Sequence, residues 1–277
     1  MPEPLRLLVI GAHPDDAEYK AGGLAALYRS LGHLVRFVSV TNGEAGHHLS
    51  PGQALVARRR AEAAAAAATL NLEYEVWEHR DGHLEVSLPA REQLIRAIRQ
   101  YRPNLVLTHR PNDYHPDHRA TSLLVQDSAY MLTVPAVCPD VPRLTRDPVI
   151  AYLSDDFTRP YPFEPAVVVD ITTVWDAKIG MLHAHTSQFY EWLPYNGGHV
   201  DEVPGGDQAR RAWLSERMAR QAERLAERCR SRLVEVYGHN LGSTIRLVEA
   251  FEACEYGAPL DSEAIARLFP FATPRPG

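Results

Sequence analysis

Leu5-Arg-Leu-Leu-Val-Ile-Gly-Ala-His-Pro-Asp-Asp-Ala-Glu18 joins a short apolar run to a turn that carries one histidine and two adjacent carboxylates. The run Leu5–Ile10 is bounded by turn residues and reads as a buried β-strand. A helical pattern, Tyr19–Leu31, follows the turn. In an open α/β sheet, parallel strands that end in polar groups ahead of a helix mark the binding edge. Further along, the chain repeats the device in Asn112-Asp-Tyr-His-Pro-Asp-His118. Two such turns in matching contexts point to a divalent-metal hydrolase site.

The alternation continues outward from these segments. Strand-like runs at Leu34–Val40, Tyr74–Trp77, Asn104–Thr108, Val149–Leu153 and Ala166–Asp170 are separated in the first half by helical patterns at Ala54–Leu70, Pro89–Tyr101 and His118–Thr133. Strands alternating with helices predict βαβ units and a mostly parallel sheet flanked by helices, an α/β fold. Beyond Asp170 the pattern predicts a helix over Thr172–His185 and a Gly/Pro-containing segment over Leu193–Gly206. A long Arg/Glu-rich helix over Asp207–Glu235 and a shorter helical stretch over Ser243–Ala253 follow. The proline-rich tail Phe269–Gly277 is expected to be loose. With neither repeat nor linker in view, residues 1–277 are expected to form one domain, a core over 5–190 with a helical C-terminal appendage over 191–277.

Composition narrows the function classes. With 277 residues, 45% hydrophobic and 23% charged, the chain reads as an ordinary globular protein rather than a disordered one. A net charge of −6, and no basic cluster beyond Arg58-Arg-Arg60, argue against nucleic acid or an anionic membrane as partner. Cys138, Cys229 and Cys254 are scattered, without metal-pair spacing, and are expected to be reduced thiols. Met1-Pro-Glu-Pro leads into the first strand without a signal-peptide pattern, and no stretch reaches the ~18 apolar residues of a membrane span. A cytoplasmic location is expected.

The ends of the early strands hold the chemistry. Thr41-Asn-Gly-Glu-Ala-Gly-His-His48, His79-Arg-Asp-Gly-His83 and His109–His118 all follow strands, so a parallel sheet gathers them on one edge. His13 and Asp16 lie one helical turn apart, and the topology can bring His118 to them. Two histidines and one carboxylate leave a coordination position for water, the arrangement of a catalytic Zn²⁺, with Fe²⁺ suiting the same donors. Asp15 is placed as the general base, His115 as the oxyanion partner, and Asp117 as the group fixing a histidine tautomer.

These motifs resemble the PIG-L (LmbE-like) family of zinc-dependent N-deacetylases. The resemblance rests on Ala12-His-Pro-Asp-Asp-Ala-Glu18, Thr41-Asn-Gly-Glu-Ala-Gly46, Arg59-Arg-Ala-Glu62, His115-Pro-Asp-His118 and His185-Thr-Ser-Gln188, and covers about residues 5–190. It implies a Rossmann-like fold, removal of acetyl groups from N-acetylglucosamine-type substrates, and a homo-oligomer by analogy. It also implies His13, Asp16 and His118 as ligands, Asp15 as base and His115 at the oxyanion. Arg59, Glu44 and His185 are the candidate substrate contacts. One departure stands out: a position that is tyrosine in some members, two residues before His115, is Asp113 here, with Tyr114 next to it. Two other readings use the same residues: a non-haem iron oxygenase with a two-histidine, one-carboxylate set, and a non-catalytic sugar-binding protein. Glu18 reads as a first-turn acid, His47, His48, His79 and His83 as exposed loop residues, and the long Arg/Glu helix as a solvent- or oligomer-facing surface.

Overall fold

Leucine- and valine-rich runs with both faces apolar can only be satisfied between two layers of helices, and that is where they sit. The computed structural model describes residues 3–271. In chain order it contains β1 (Arg6–Gly11), α1 (Asp16–Ser30), β2 (Leu34–Thr41), α2 (Gln53–Leu70), β3 (Glu73–His79) and α3 (Leu88–Tyr101). Then come β4 (Leu105–Thr108), α4 (Pro116–Ala129), β5 (Val149–Leu153), β6 (Val167–Asp170) and α5 (Trp175–Ala184). A π-helical turn, Gln188–Trp192, leads into the short α6 (Leu193–Asn196). The chain ends with α7 (Asp207–Arg228), α8 (Arg230–Gly242), β7 (Val248–Gly257) and α9 (Ser262–Leu268).

Among the described residues the strands form one sheet in the order β3-β2-β1-β4-β5-β7-β6. From β3 to β5 all pairings are parallel, and β7 runs antiparallel to both β5 and β6. Alternate side chains feed two cores. Leu7, Val9, Phe37 and Leu107 face α1, α2 and α5, while Leu8, Ile10, Val38 and Val106 face α3 and α4. Strand order reverses at β1 and β4, so a crevice opens outside their carboxyl ends. No helix among the described residues is long and apolar enough to cross a membrane.

The C-terminal third departs from expectation. Residues expected as a helix over Ser243–Ala253 instead form most of β7, inserted between β5 and β6, so the segment is built into the sheet rather than appended to it. The long helix expected over Asp207–Glu235 breaks at Cys229 into α7 and α8. Of the tail, Phe269 is fully buried against Phe251, and residues 272–277 lie outside the described residues.

β7 brings a glutamate into the interior that fastens α1. Glu249 accepts the backbone N–H groups of Gly23 and Leu24, each at 2.8 Å, and pairs with Lys178 Nζ of α5 at 2.6 Å. Lys178 Nζ also donates to the carbonyl of Tyr19 at 2.7 Å. Both side chains are almost fully buried. Removing one member of a buried pair leaves an uncompensated charge, so Lys178→Met is expected to cost about 3–5 kcal/mol of stability. Urea denaturation measures it; a loss under about 1 kcal/mol would mean that water already reaches the pair.

Candidate functional site

The first motif is shaped by close backbone approach. A Cβ on Gly11 would lie 2.7 Å from Cβ of Asp16, so only glycine lets β1 end this near the start of α1. Thr41 fixes the strand end by donating to the Ala12 carbonyl from both N–H and Oγ1, each at 2.8 Å. Asp15 then takes a left-handed conformation at φ 112°, a position costing a non-glycine residue about 1–3 kcal/mol. Its N–H donates to Tyr74 Oη at 3.2 Å, and Tyr74 Oη donates to Glu18 Oε2 at 3.2 Å. Arg59, reaching from α2, donates to the carbonyls of Pro14 and Gly43 and lies 3.3 Å from Asp15 Oδ2.

The second motif is a helix start with proline at the first position, where its missing N–H costs nothing. Asp113 Oδ1 accepts the His115 N–H at 2.9 Å, and His115 Nδ1 accepts the Asp117 N–H at 3.2 Å. The amino ends of α1 and α4 thus both face the β1–β4 crevice. Their dipoles favour negative charge there.

Three donor atoms meet between these turns. His13 Nδ1 and Asp16 Oδ2 are 3.5 Å apart, His118 Nε2 and Asp16 Oδ2 are 3.5 Å apart, and the two ring nitrogens are separated by 3.3 Å. Donors about 2.0–2.1 Å from a tetrahedral zinc lie about 3.4 Å from one another, so the triangle can hold such an ion. The outward ring nitrogens are also fixed. His13 Nε2 lies 3.1 Å from Asp81 Oδ1 and 3.3 Å from Asp117 Oδ2. His118 Nδ1 lies 3.1 Å from Asp113 Oδ1. Carboxylates in these places fix the ring orientations and, in a neutral ring, favour the tautomer whose inward nitrogen is free to bind an ion.

The charges are strongly coupled to burial. Burial alone would lower the His13 pKa, but Asp117, Asp16 and Asp81 together hold it well above the ordinary value. Burial would raise that of Asp16, and His118 and His109 outweigh it, holding the carboxylate well below the usual range. Asp15 is pushed up to about 6 by burial, with Arg59 opposing and Asp16 adding to the rise. His115 is lowered by burial and by His13 and His118. Its Nδ1 accepts an N–H, which leaves the proton on Nε2.

Other candidates fall elsewhere. His185, expected as a substrate contact, is fully buried outside the cavity lining, with Nε2 2.7 Å from Glu18 Oε1. Glu44 also lies outside that lining, its carboxylate accepting from Arg80 at 2.7 Å and from Asn42. Arg59 does line the cavity, though 2% exposed and engaged by three oxygens of its own chain. Sequence reasoning left out Asp81, Asp113 and His109. Asp113 occupies the place noted only as a missing tyrosine. His109 stacks on His118 with centroids 4.0 Å apart, and its Nε2 accepts the Ala12 N–H at 3.1 Å. Burial, reinforced by His118, drives its pKa down to about 4, so it clamps the strand end as a neutral ring.

The donor triangle opens into a cavity of about 660 Å³. The chain's sequence matches the model of the PIG-L family, GlcNAc-PI de-N-acetylase, over residues 8–129. Over those residues the chain is similar to the PIG-L family. It is 28% identical over 196 residues to a 4-oxalmesaconate hydratase of Pseudomonas putida, covering 68% of this chain and 76% of that protein. It is 29% identical over 205 residues to a diacetylchitobiose deacetylase of Thermococcus kodakarensis, covering 69% and 74%. Its fold matches an N,N'-diacetylchitobiose deacetylase of Pyrococcus horikoshii with a TM-score of 0.69 at 24% identity, over 90% of this chain and 83% of that one. Every residue of the donor triangle and its carboxylate supports falls inside the PIG-L match.

The His185–Glu18 pair gives a stability test. Burial alone would lower the His185 pKa, but Glu18 outweighs it and holds the value above its ordinary level of about 6.5. The pair's contribution is therefore complete below about pH 6.5 and is lost as pH rises through the folded-state value. Glu18→Gln is expected to lower the urea midpoint more at pH 6 than at pH 9. An equal loss at both would mean that His185 stays neutral in the fold.

Proposed function

We propose that this protein is a divalent-metal amidohydrolase that removes an N-acyl group, typically acetyl, from an amino sugar or amino-sugar conjugate. One observation carries the reading: a triangle of two ring nitrogens and a carboxylate oxygen with edges of 3.3–3.5 Å, flanked by Asp15 and His115 at a cavity wall. The deacetylase relatives lend it support. His13, Asp16 and His118 are the residues that would hold Zn²⁺, with Fe²⁺ suited to the same donors. Bound there, the ion would polarise an acyl carbonyl and lower the pKa of a water towards ~7.

Asp15 takes the proton of the attacking water and later returns it to the departing nitrogen. A pKa near 6 leaves the carboxylate ionised at neutral pH yet basic enough to accept a proton. Arg59 positions that carboxylate and neutralises part of its charge. His115, as the neutral ring, donates from Nε2–H to the oxygen on which negative charge develops. Asp117 and Asp81 hold the ring of His13, and Asp113 holds that of His118.

A second reading has its own observation, the hydratase relative. A base and an N–H donor beside an activated water can also add that water to a carbon–carbon double bond. Acetate release from N-acetylglucosamine derivatives, run beside consumption of 4-oxalmesaconate, separates the two. Under the hydrolytic reading, Asp15→Asn is expected to lower kcat by about 10²–10⁴ while zinc affinity stays within about threefold. Asp113→Asn is expected to weaken zinc binding by about 10–100-fold, read by competition with a chelating dye. Full turnover in Asp15→Asn, with acetate release still abolished by chelator, would sink the division of labour.

A further inference from the structure

A second cavity, of about 160 Å³, adjoins the first on its β5 side. It is lined by residues of α1, α5, α7 and β7 and by the segment that follows β5. Tyr19, Lys20, Ser154 and Gln221 are among the residues that face both cavities and so form a shared wall. We infer that the second cavity is a binding site for a small carboxylate, with Lys20 and Arg224 as its cations. The inference rests on the amidohydrolase reading only for the source of that acid, the acyl anion, typically acetate, that hydrolysis would release.

The shared wall is closed by hydrogen bonds from side chains, which rotamer changes can break. Tyr19 Oη donates to Gln221 Oε1 and so bridges α1 and α7. Lys20 Nζ donates to the Ser154 carbonyl at 2.8 Å and bridges α1 and the end of β5. Lys20 also lies one helical turn beyond Asp16 on α1, so the two share a face of that helix. An acid formed at the donor triangle therefore has a cation beside it that also faces the second cavity.

The charges of the second cavity favour an anion. Its carboxylates are already engaged: Glu249 by Lys178, Asp156 by Arg228, and Asp155, through Oδ1, by Arg110 at 2.7 Å and the Phe157 N–H at 3.1 Å. Two cations are not. Lys20 has the one carbonyl and the Tyr19 ring, 4.9 Å from Nζ to the centroid, which leaves N–H donors over. Burial lowers the Lys20 pKa, and Asp156, Asp155, Asp113 and Asp16 oppose the fall. Arg224 has no hydrogen bond or ion pair among the described residues, and its exposed side chain marks where the cavity meets solvent. The donor end is the reverse case, with Asp15, Asp16, Asp81, Asp113 and Asp117 crowded around Arg59. A carboxylate that leaves the ion is repelled there and attracted here.

Fluoroacetate, followed by fluorine NMR line broadening on the zinc-loaded full chain at constant ionic strength, tests the site without requiring turnover. Saturable binding is expected, and none for neutral fluoroacetamide. Lys20→Met is expected to weaken it at least about fivefold, and Arg224→Gln, at the exposed end, at least about threefold. Ala222→Leu, which fills the cavity from α7 with no change of charge, is expected to abolish binding while the circular dichroism spectrum stays that of the wild type. Removing the ion with a chelating resin is expected to leave the wild-type affinity unchanged. Absence of saturation, binding lost with the ion, or an affinity that either charge variant leaves unmoved overturns the inference. If fluoroacetate binds as described while no N-acetylglucosamine derivative releases acetate, the hydrolytic reading falls and the carboxylate site stands. Acetate release without saturable binding has the opposite meaning.

Discussion

Buried negative charge is the constraint around which the rest of the molecule is arranged. Asp15, Asp16, Asp81, Asp113 and Asp117 converge on the crevice, none with more than 15% of its side chain exposed. One guanidinium, Arg59, stands directly among them. Carboxylates withdrawn from water at this density are tolerated only when protons, cations or hydrogen-bond donors compensate them. The elevated pKa values of Asp15 and His13 are two expressions of that deficit. A dication at the triangle would relieve it more fully than protonation does. The amino ends of α1 and α4 point at the same crevice and supply the remaining positive potential.

The scaffold has to hold these groups against their own repulsion, and β7 does much of that work. Its two inward glutamates each grip a cation that steadies one side of the site. Glu249 binds Lys178 and two amides of α1, the helix that begins at Asp16. Glu252 lies 3.3 Å from Arg110, which directly follows His109 at the end of β4 and also pairs with Asp155 at 2.7 Å. A strand from the far end of the chain thus ties down the helix that follows the first turn and the loop that leads into the second.

The sequence made the first six strands and the crowded binding edge legible because each of those features is local. Apolar runs, helical periods and loops rich in histidine and aspartate can be read without knowing what they touch. β7 was hidden for the opposite reason. Val248-Glu-Ala-Phe-Glu-Ala-Cys-Glu-Tyr256 is rich in helix-forming alanine and glutamate, and its strand character depends on buried partners at positions 178 and 110. His185 was misplaced because its proximity to a polar motif could not reveal that Glu18 absorbs it inside the core. Asp113 was noticed as a departure, but its contact with the outer nitrogen of His118 needed the folded turn. Donor residues announce themselves by type, whereas the carboxylates that orient them are distinguished only by position.

On the proposed reading, the groups that would do the chemistry are gathered in the first half of the chain. The triangle, Asp15, His115 and the orienting carboxylates all lie within residues 8–129, where the PIG-L match falls. The facing wall begins at Leu153 and continues through the π-helical turn into α7. Hydrolysis of an amide and hydration of a double bond both need an activated water, a nearby base and a donor for developing charge. They differ in which acceptor carbon is held over that water. A first half of this kind can therefore suit relatives named for either reaction, and on the proposed reading the choice between them falls to the residues that line the rest of the cavity. In this chain those residues include the partly buried rings of Trp192 and Trp213 beside Asp155, Asp156, His199 and an Arg217 engaged by His199 and Glu202.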